Sequence, residues 1–278
     1  MPAERIAENL AFINWTILTG VAVGTLGAAV IGRLATSATK GYLGFAALLA
    51  GLVGVLAVLS DGALPVAGGG SPVPLDPAWT DARRLAMWAL VVLAVVYAVA
   101  LLRGRRANWL GIASLAAAAA VLLAAALSWG GTALGGAMLF VQLAVLAGAT
   151  GGVFAAMILG HWYLVTPKLP EAPLVLFARG LAVVVALQLG LFVAWTATGA
   201  GPAGSPGFGA LAGEWALFVW LRLLVGLVMP LIITVAALLT ARTRSMESAT
   251  GLLYIDVGLI ASGTILAAGL YFGGGLLV

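Results

Sequence analysis

Residues 134–162 read LGGAMLFVQLAVLAGATGGVFAAMILGHW, a continuously apolar run well beyond the roughly 20 residues a helix needs to cross a bilayer. Inside hydrocarbon every backbone N–H and C=O must be satisfied within its own segment or in a closed barrel. The run lacks the alternation of barrel strands, so it reads as helix. Within it Gly148, Gly152, Ala156 and Gly160 recur every four residues, and His161, the only histidine of the chain, follows directly. The same ladder stands 128 positions earlier as Gly20, Gly24, Ala28 and Gly32, followed by Arg33.

The rest of the chain has the same character. It is 63% hydrophobic and 8% charged, whereas soluble domains are roughly a quarter charged. The expected fold is an all-α polytopic membrane bundle of eight spans, near 11–32, 42–60, 84–103, 107–128, 134–162, 174–197, 214–240 and 249–272. Two longer connections, 61–83 and 198–213, are rich in turn residues: Gly68-Gly69-Gly70-Ser71-Pro72 with Pro74 in the first, and Thr198-Gly199-Ala200-Gly201-Pro202 through Pro206-Gly207 in the second. Met1 to Leu10, with Glu4, Arg5 and Glu8, lacks the pattern of a cleaved signal peptide and reads as retained.

Basic residues set the expected orientation. Arg33, Lys40, Arg103, Arg105, Arg106, Lys168, Arg179, Arg242 and Arg244 fall at one set of span ends, and Arg5, Arg83 and Arg84 at the other. The positive-inside rule places the first set in the cytoplasm and both termini at the exterior or periplasm, as in a bacterial inner membrane. The excess of thirteen Lys and Arg over nine Asp and Glu therefore reports topology, and no nucleic-acid partner is expected.

A second match, Trp88-Ala89-Leu90 against Trp215-Ala216-Leu217 at an offset of 127, supports an internal duplication. The expected halves are 1–130, a four-helix scaffold, and 131–278, which carries most of the buried polar residues, both in the same orientation. Each ladder makes a smooth groove on its helix. Another backbone can pack there, or a flat or elongated ligand such as a porphyrin, quinone or lipid tail can lie against bare backbone.

The absence of cysteine excludes disulfides, thiolate-held iron–sulfur clusters and thioether-attached haem. One histidine cannot supply both axial ligands of a haem. His161, Trp162 and Tyr163 form either an interfacial anchor, with the imidazole at the negative end of the helix dipole, or a site for a quinone head group or one haem ligand. Met157 shares the face of His161, but one helix cannot place both groups on opposite sides of a haem. Arg222 and Asp256 lie about two turns inside their spans, where charges are costly and mark functional candidates. They are expected at different depths, so a direct ion pair is not favoured. Glu214, two turns before Arg222, is too far for direct contact. Gln142 and Gln188 suit hydrogen bonds between helices, and Pro230 after Gly226 should kink the seventh span.

No nucleophile elbow, phosphate loop, paired catalytic carboxylates or multi-histidine site is present, so catalysis by this chain alone is not expected. Two functions suit the residues. One is a membrane subunit or scaffold of a larger, energy-transducing complex, docking other subunits and bordering a quinone, haem or other lipophilic cofactor. The alternative is a secondary transporter or channel for a small solute or ion, with Arg222, Asp256 and the Pro230 kink along its path.

Overall fold

The computed structural model describes residues 1–65, 72–166, 169–204 and 207–278. Gly68, Gly69, Gly70, Ser71, Pro167, Lys168 and Pro206 lie outside the described residues. After a short helix, α1 (Pro2–Glu8), the spans are α2 (Leu10–Ala35), α3 (Lys40–Asp61), α4 (Thr80–Leu102), α5 (Asn108–Trp129), α6 (Ala133–Val165) and α7 (Ala172–Thr198). The seventh span is broken into α8 (Ala216–Leu223) and α9 (Met229–Arg242) by a π-helical turn, and α10 (Met246–Gly274) is the eighth. Among the described residues these eight spans are long and apolar enough to cross a membrane, and no strand occurs. The chain is a polytopic helical bundle.

Side chains set several of the helix ends. The Thr39 hydroxyl accepts from the Tyr42 N–H at the start of α3, and the Thr132 hydroxyl accepts from the Gly135 N–H at the start of α6. Gly199 and Gly275 end α7 and α10 in the left-handed conformation, with φ of 67° and 66°. After Gly275 the chain folds back under α10. Leu277 donates its N–H to Ala200, Ala203 donates to Gly275, and the side chain of Gln142 donates to the Val278 main-chain oxygen at 2.9 Å.

The bundle is organised around the crossing of α2 and α6. At Gly24 a Cβ would stand 1.9 Å from the Ala147 carbonyl oxygen, and at Gly151 it would stand 2.3 Å from the Thr25 nitrogen. Backbone therefore meets backbone, and the Thr25 hydroxyl donates to the Gly151 carbonyl across the contact. In the first four spans α2 packs on α3 and α5, α3 on α4 and α4 on α5. In the second four α6 packs on α7 and α10, α7 on α9 and α9 on α10. Across the centre α5 packs on α6, and α10 packs on α2.

The ladders do not stack one on the other. Gly20 and Gly24 meet Ala147, Thr150 and Gly151, one or two positions before residues of the second ladder, while Gly32 meets Leu43 and Phe177. Gly148 and Gly152 turn instead toward Val184 and Leu181 of α7, Ala156 is buried, and Gly160 packs on Thr250 of α10.

Candidate functional site

Arg222 is 1% exposed on α8, and the local chain explains where its guanidinium goes. In an α-helix the Gly226 carbonyl would accept the N–H of residue 230, which is proline and has none. The π-turn Leu224–Val228 occupies this point, and the Arg222 Nη1 donates to the Gly226 carbonyl at 3.2 Å. The Nη2 donates to the side-chain Oε1 of Gln188 on α7 at 3.3 Å, and the Gln188 Nε2 donates in turn to the Val145 main-chain carbonyl of α6 at 2.9 Å. Arg222 thus satisfies a carbonyl left open by Pro230 and ties the broken span to α7. The sequence pointed to a kink at Pro230 but did not reveal that an arginine one turn before Gly226 would serve it.

The break also lets α10 approach closely. A Cβ at Gly226 would lie 2.6 Å from the Gly263 Cα, and one at Gly263 would lie 2.9 Å from the Arg222 Nη1. A double-mutant cycle tests the Pro230 connection. Pro230→Ala restores the missing N–H, so Arg222→Met should destabilise this background less than it destabilises the parent. The expected coupling is about 1 kcal/mol, read from unfolding in mixed detergent micelles. Equal effects in both backgrounds would contradict the assignment.

Asp256 belongs to a separate contact. It is buried on α10 and its Oδ2 accepts from the Thr234 hydroxyl of α9 at 2.5 Å, while Oδ1 has no hydrogen-bond partner. Seven residues separate it from Gly263, about 10 Å of helix rise from the level of Arg222. No ion pair joins the two. From the start of α10 at Met246 the rise to Asp256 is about 15 Å, deeper than its distance from the expected span boundary suggested.

His161, Trp162 and Tyr163 end α6 but do not converge. His161 is exposed. Trp162 packs on Tyr42 and Phe45 of α3, with ring centroids 6.4 and 6.3 Å away. Tyr163 is buried and donates its hydroxyl to the Pro170 carbonyl at 2.5 Å. At about 100° per residue His161 stands half a turn around the helix from Gly152, which lines the groove, and about 100° from the adjacent Gly160, so the histidine lies off the ladder's face.

The expectation that residues 131–278 carry most of the buried polar residues is corrected, most plainly at the end opposite the basic connections. Asp61, at the end of α3, is 1% exposed and accepts from the Arg83 Nε at 2.6 Å and the Arg84 Nε at 2.9 Å. Arg83 also donates to the Ser128 hydroxyl of α5 at 3.1 Å and lies 4.9 Å from the Trp129 ring centroid. Trp129 is packed edge-on against Phe12, Trp15 and Phe272. The sequence contained a signal for this cluster: the acid ending one span and the arginines opening the next must lie at the same membrane face.

An apolar recess lies between α5 and α7. It is a groove of about 410 Å³ whose floor is formed by Gly24, Gly27 and Ala28 of α2 and by Gly148 and Gly152 of α6. Leu115 and Leu122 of α5 form one wall, and Leu181 and Val184 of α7 form the other. A Cβ at Gly180 on the α7 rim would meet nothing within 4 Å, and one at Gly27 would meet only the tip of Leu115 at 4.0 Å. These glycines keep space open, whereas Gly24 and Gly151 remove it. No lining side chain carries a hydrogen-bonding or metal-ligating group. The groove suits a hydrocarbon chain and offers nothing to a quinone carbonyl or a haem iron.

Fold and composition together define an integral membrane protein of eight spans in contact with lipid. Comparison with family models, with curated proteins and with solved structures finds no match.

Proposed function

We propose that this chain is a membrane-embedded subunit of a larger assembly, and that its α5–α7 groove seats the isoprenoid or acyl chain of a lipophilic molecule. The observation that carries the reading is the groove itself. Its volume of about 410 Å³ lies within the range of small-molecule sites, its lining is wholly apolar, and its floor is glycine where larger residues would fill it. Most of the described residues lie in the eight spans, which supports a role exercised within the bilayer. In this reading the basic connections face the cytoplasm of a bacterial inner membrane and both termini face the other side.

The packing also supports a duplication. Each half repeats the same neighbours, first span on second and fourth, second on third, third on fourth, and the cross-contacts α5 on α6 and α10 on α2 are exchanged by the same relation. An axis along the membrane normal through the α2–α6 crossing accounts for this arrangement. Each half also ties its second and third spans through an arginine: Arg83 to Asp61 in the first, Arg222 to Gln188 in the second.

The groove reading is tested by the lipophilic molecules that remain with the gently purified protein. Gly27→Leu with Gly180→Leu fills the groove without touching the α2–α6 crossing. Retention of the bound chain should fall about tenfold or more, a loss of about 1.4 kcal/mol of van der Waals contact, because the two leucine side chains take the space the chain would occupy. Unchanged retention in the folded variant would overturn the proposal. The transport alternative rests on the unpartnered Oδ1 of Asp256 and is favoured instead if reconstituted protein carries a solute flux that Asp256→Asn abolishes.

A further inference from the structure

The turn between α4 and α5 carries a second recess, on a different face of α5 from the groove. Gly104, with φ of 74°, closes α4 in a Schellman motif: Arg105 donates its N–H to the Ala100 carbonyl and Gly104 donates to Leu101, both at 2.9 Å. This hydrogen-bonded turn fixes the places where Arg103, Arg105 and Arg106 leave the backbone. Lys40, at the start of α3, reaches the same turn, its Nζ 3.9 Å from where a Gly104 Cβ would stand. The ion pairs of the described residues involve none of these four cations.

Beneath the cations lies an apolar crease. A recess of about 290 Å³ runs between α4 and α5, with Val96, Val99, Ala100 and Leu110 as its apolar walls. Arg103, Arg105 and Trp109 stand at its mouth, and Trp109 is 69% exposed at the level where aromatic residues meet lipid head groups. Charge and apolar surface are therefore stacked in the order presented by a phospholipid: phosphate at the bilayer surface, acyl chain below. Basic pockets between membrane helices recognise anionic head groups in this way.

We infer that the α4–α5 turn is a binding site for one anionic phospholipid, its phosphate held by Lys40, Arg103, Arg105 and Arg106 and an acyl chain lying in the Val96–Leu110 crease. A zwitterionic lipid carries its own cation beside the phosphate and gains much less from the four basic groups. The site is independent of the α5–α7 groove, and variants that fill that groove leave it intact.

The protein is reconstituted in vesicles of equal phosphatidylglycerol and phosphatidylcholine, released gently and weighed by native mass spectrometry. Phosphatidylglycerol should be retained in preference. In Arg103→Gln with Arg105→Gln and Arg106→Gln the preference should fall about a hundredfold, from about 1 kcal/mol for each charge near an anionic surface. Val99→Trp, at a position 40% exposed, fills the crease with every charge in place and should also reduce retention. Inorganic phosphate alone should not compete. Equal retention of the two lipids, undiminished retention by either variant, or displacement by inorganic phosphate would overturn the assignment.

Discussion

Replacing Asp61 with alanine is expected to destabilise the protein by about 3–5 kcal/mol, the loss that follows when one partner of a buried ion pair is removed. The carboxylate is 1% exposed and Arg83 is 5% exposed, so the guanidinium left behind cannot reach bulk water without disturbing Trp129 and the aromatic side chains around it. Arg84, 43% exposed on its side chain, can turn outward, and its pairing adds little. The double variant Asp61→Leu with Arg83→Met should be milder than Asp61→Ala, because no buried charge is left unpaired. Unfolding by sodium dodecyl sulfate in mixed micelles measures both. A loss below about 1 kcal/mol for Asp61→Ala would place the pair in the surface class.

The second large effect is expected at Gly24. Its absent Cβ would lie 1.9 Å from the Ala147 oxygen and 2.8 Å from the Gly151 Cα, so even alanine forces two backbones apart. Gly24→Leu should cost about 3 kcal/mol, the upper end of overpacking effects, because no side chain can move aside to relieve it. The separation also breaks the Thr25 bond to Gly151. Gly180→Ala, in contrast, meets nothing within 4 Å and should be neutral or stabilising by up to about 1 kcal/mol through helix propensity. A similar cost at the two positions in the same unfolding assay would contradict the distinction between a packing glycine and a space-keeping one.

The architecture was legible because the bilayer restricts what an apolar chain can do. A run such as 134–162 has to be a helix, and the spans follow from composition and turn residues. The four-residue spacing identified the helix faces that carry small side chains, but spacing cannot tell which neighbour occupies a face. Gly24 and Gly148 look alike in the sequence and both line the groove, yet a Cβ on the first would strike the backbone of α6 and one on the second would only touch the Val184 side chain. His161 follows its ladder directly in the sequence, yet the helical twist turns it about 100° from Gly160 and half a turn from Gly152. Asp61 is inconspicuous in the sequence because it sits at a span end, where charge is ordinary; its burial depends on α5 and the aromatic residues of α2 and α10. Gln188 and Arg222 were each legible as buried polar groups, while their pairing spans 34 residues and depends on where the Pro230 break directs the guanidinium.

The proposed occupancy of the glycine-floored groove is open to direct observation. Electron cryomicroscopy of the protein held in nanodiscs made from its own membrane tests this most directly. A continuous, elongated density is expected between α5 and α7, lying along Gly27, Gly148 and Gly180 and distinct from the surrounding lipid. A map in which α5 and α7 close over these glycines, or in which the groove shows no ordered density, would contradict it.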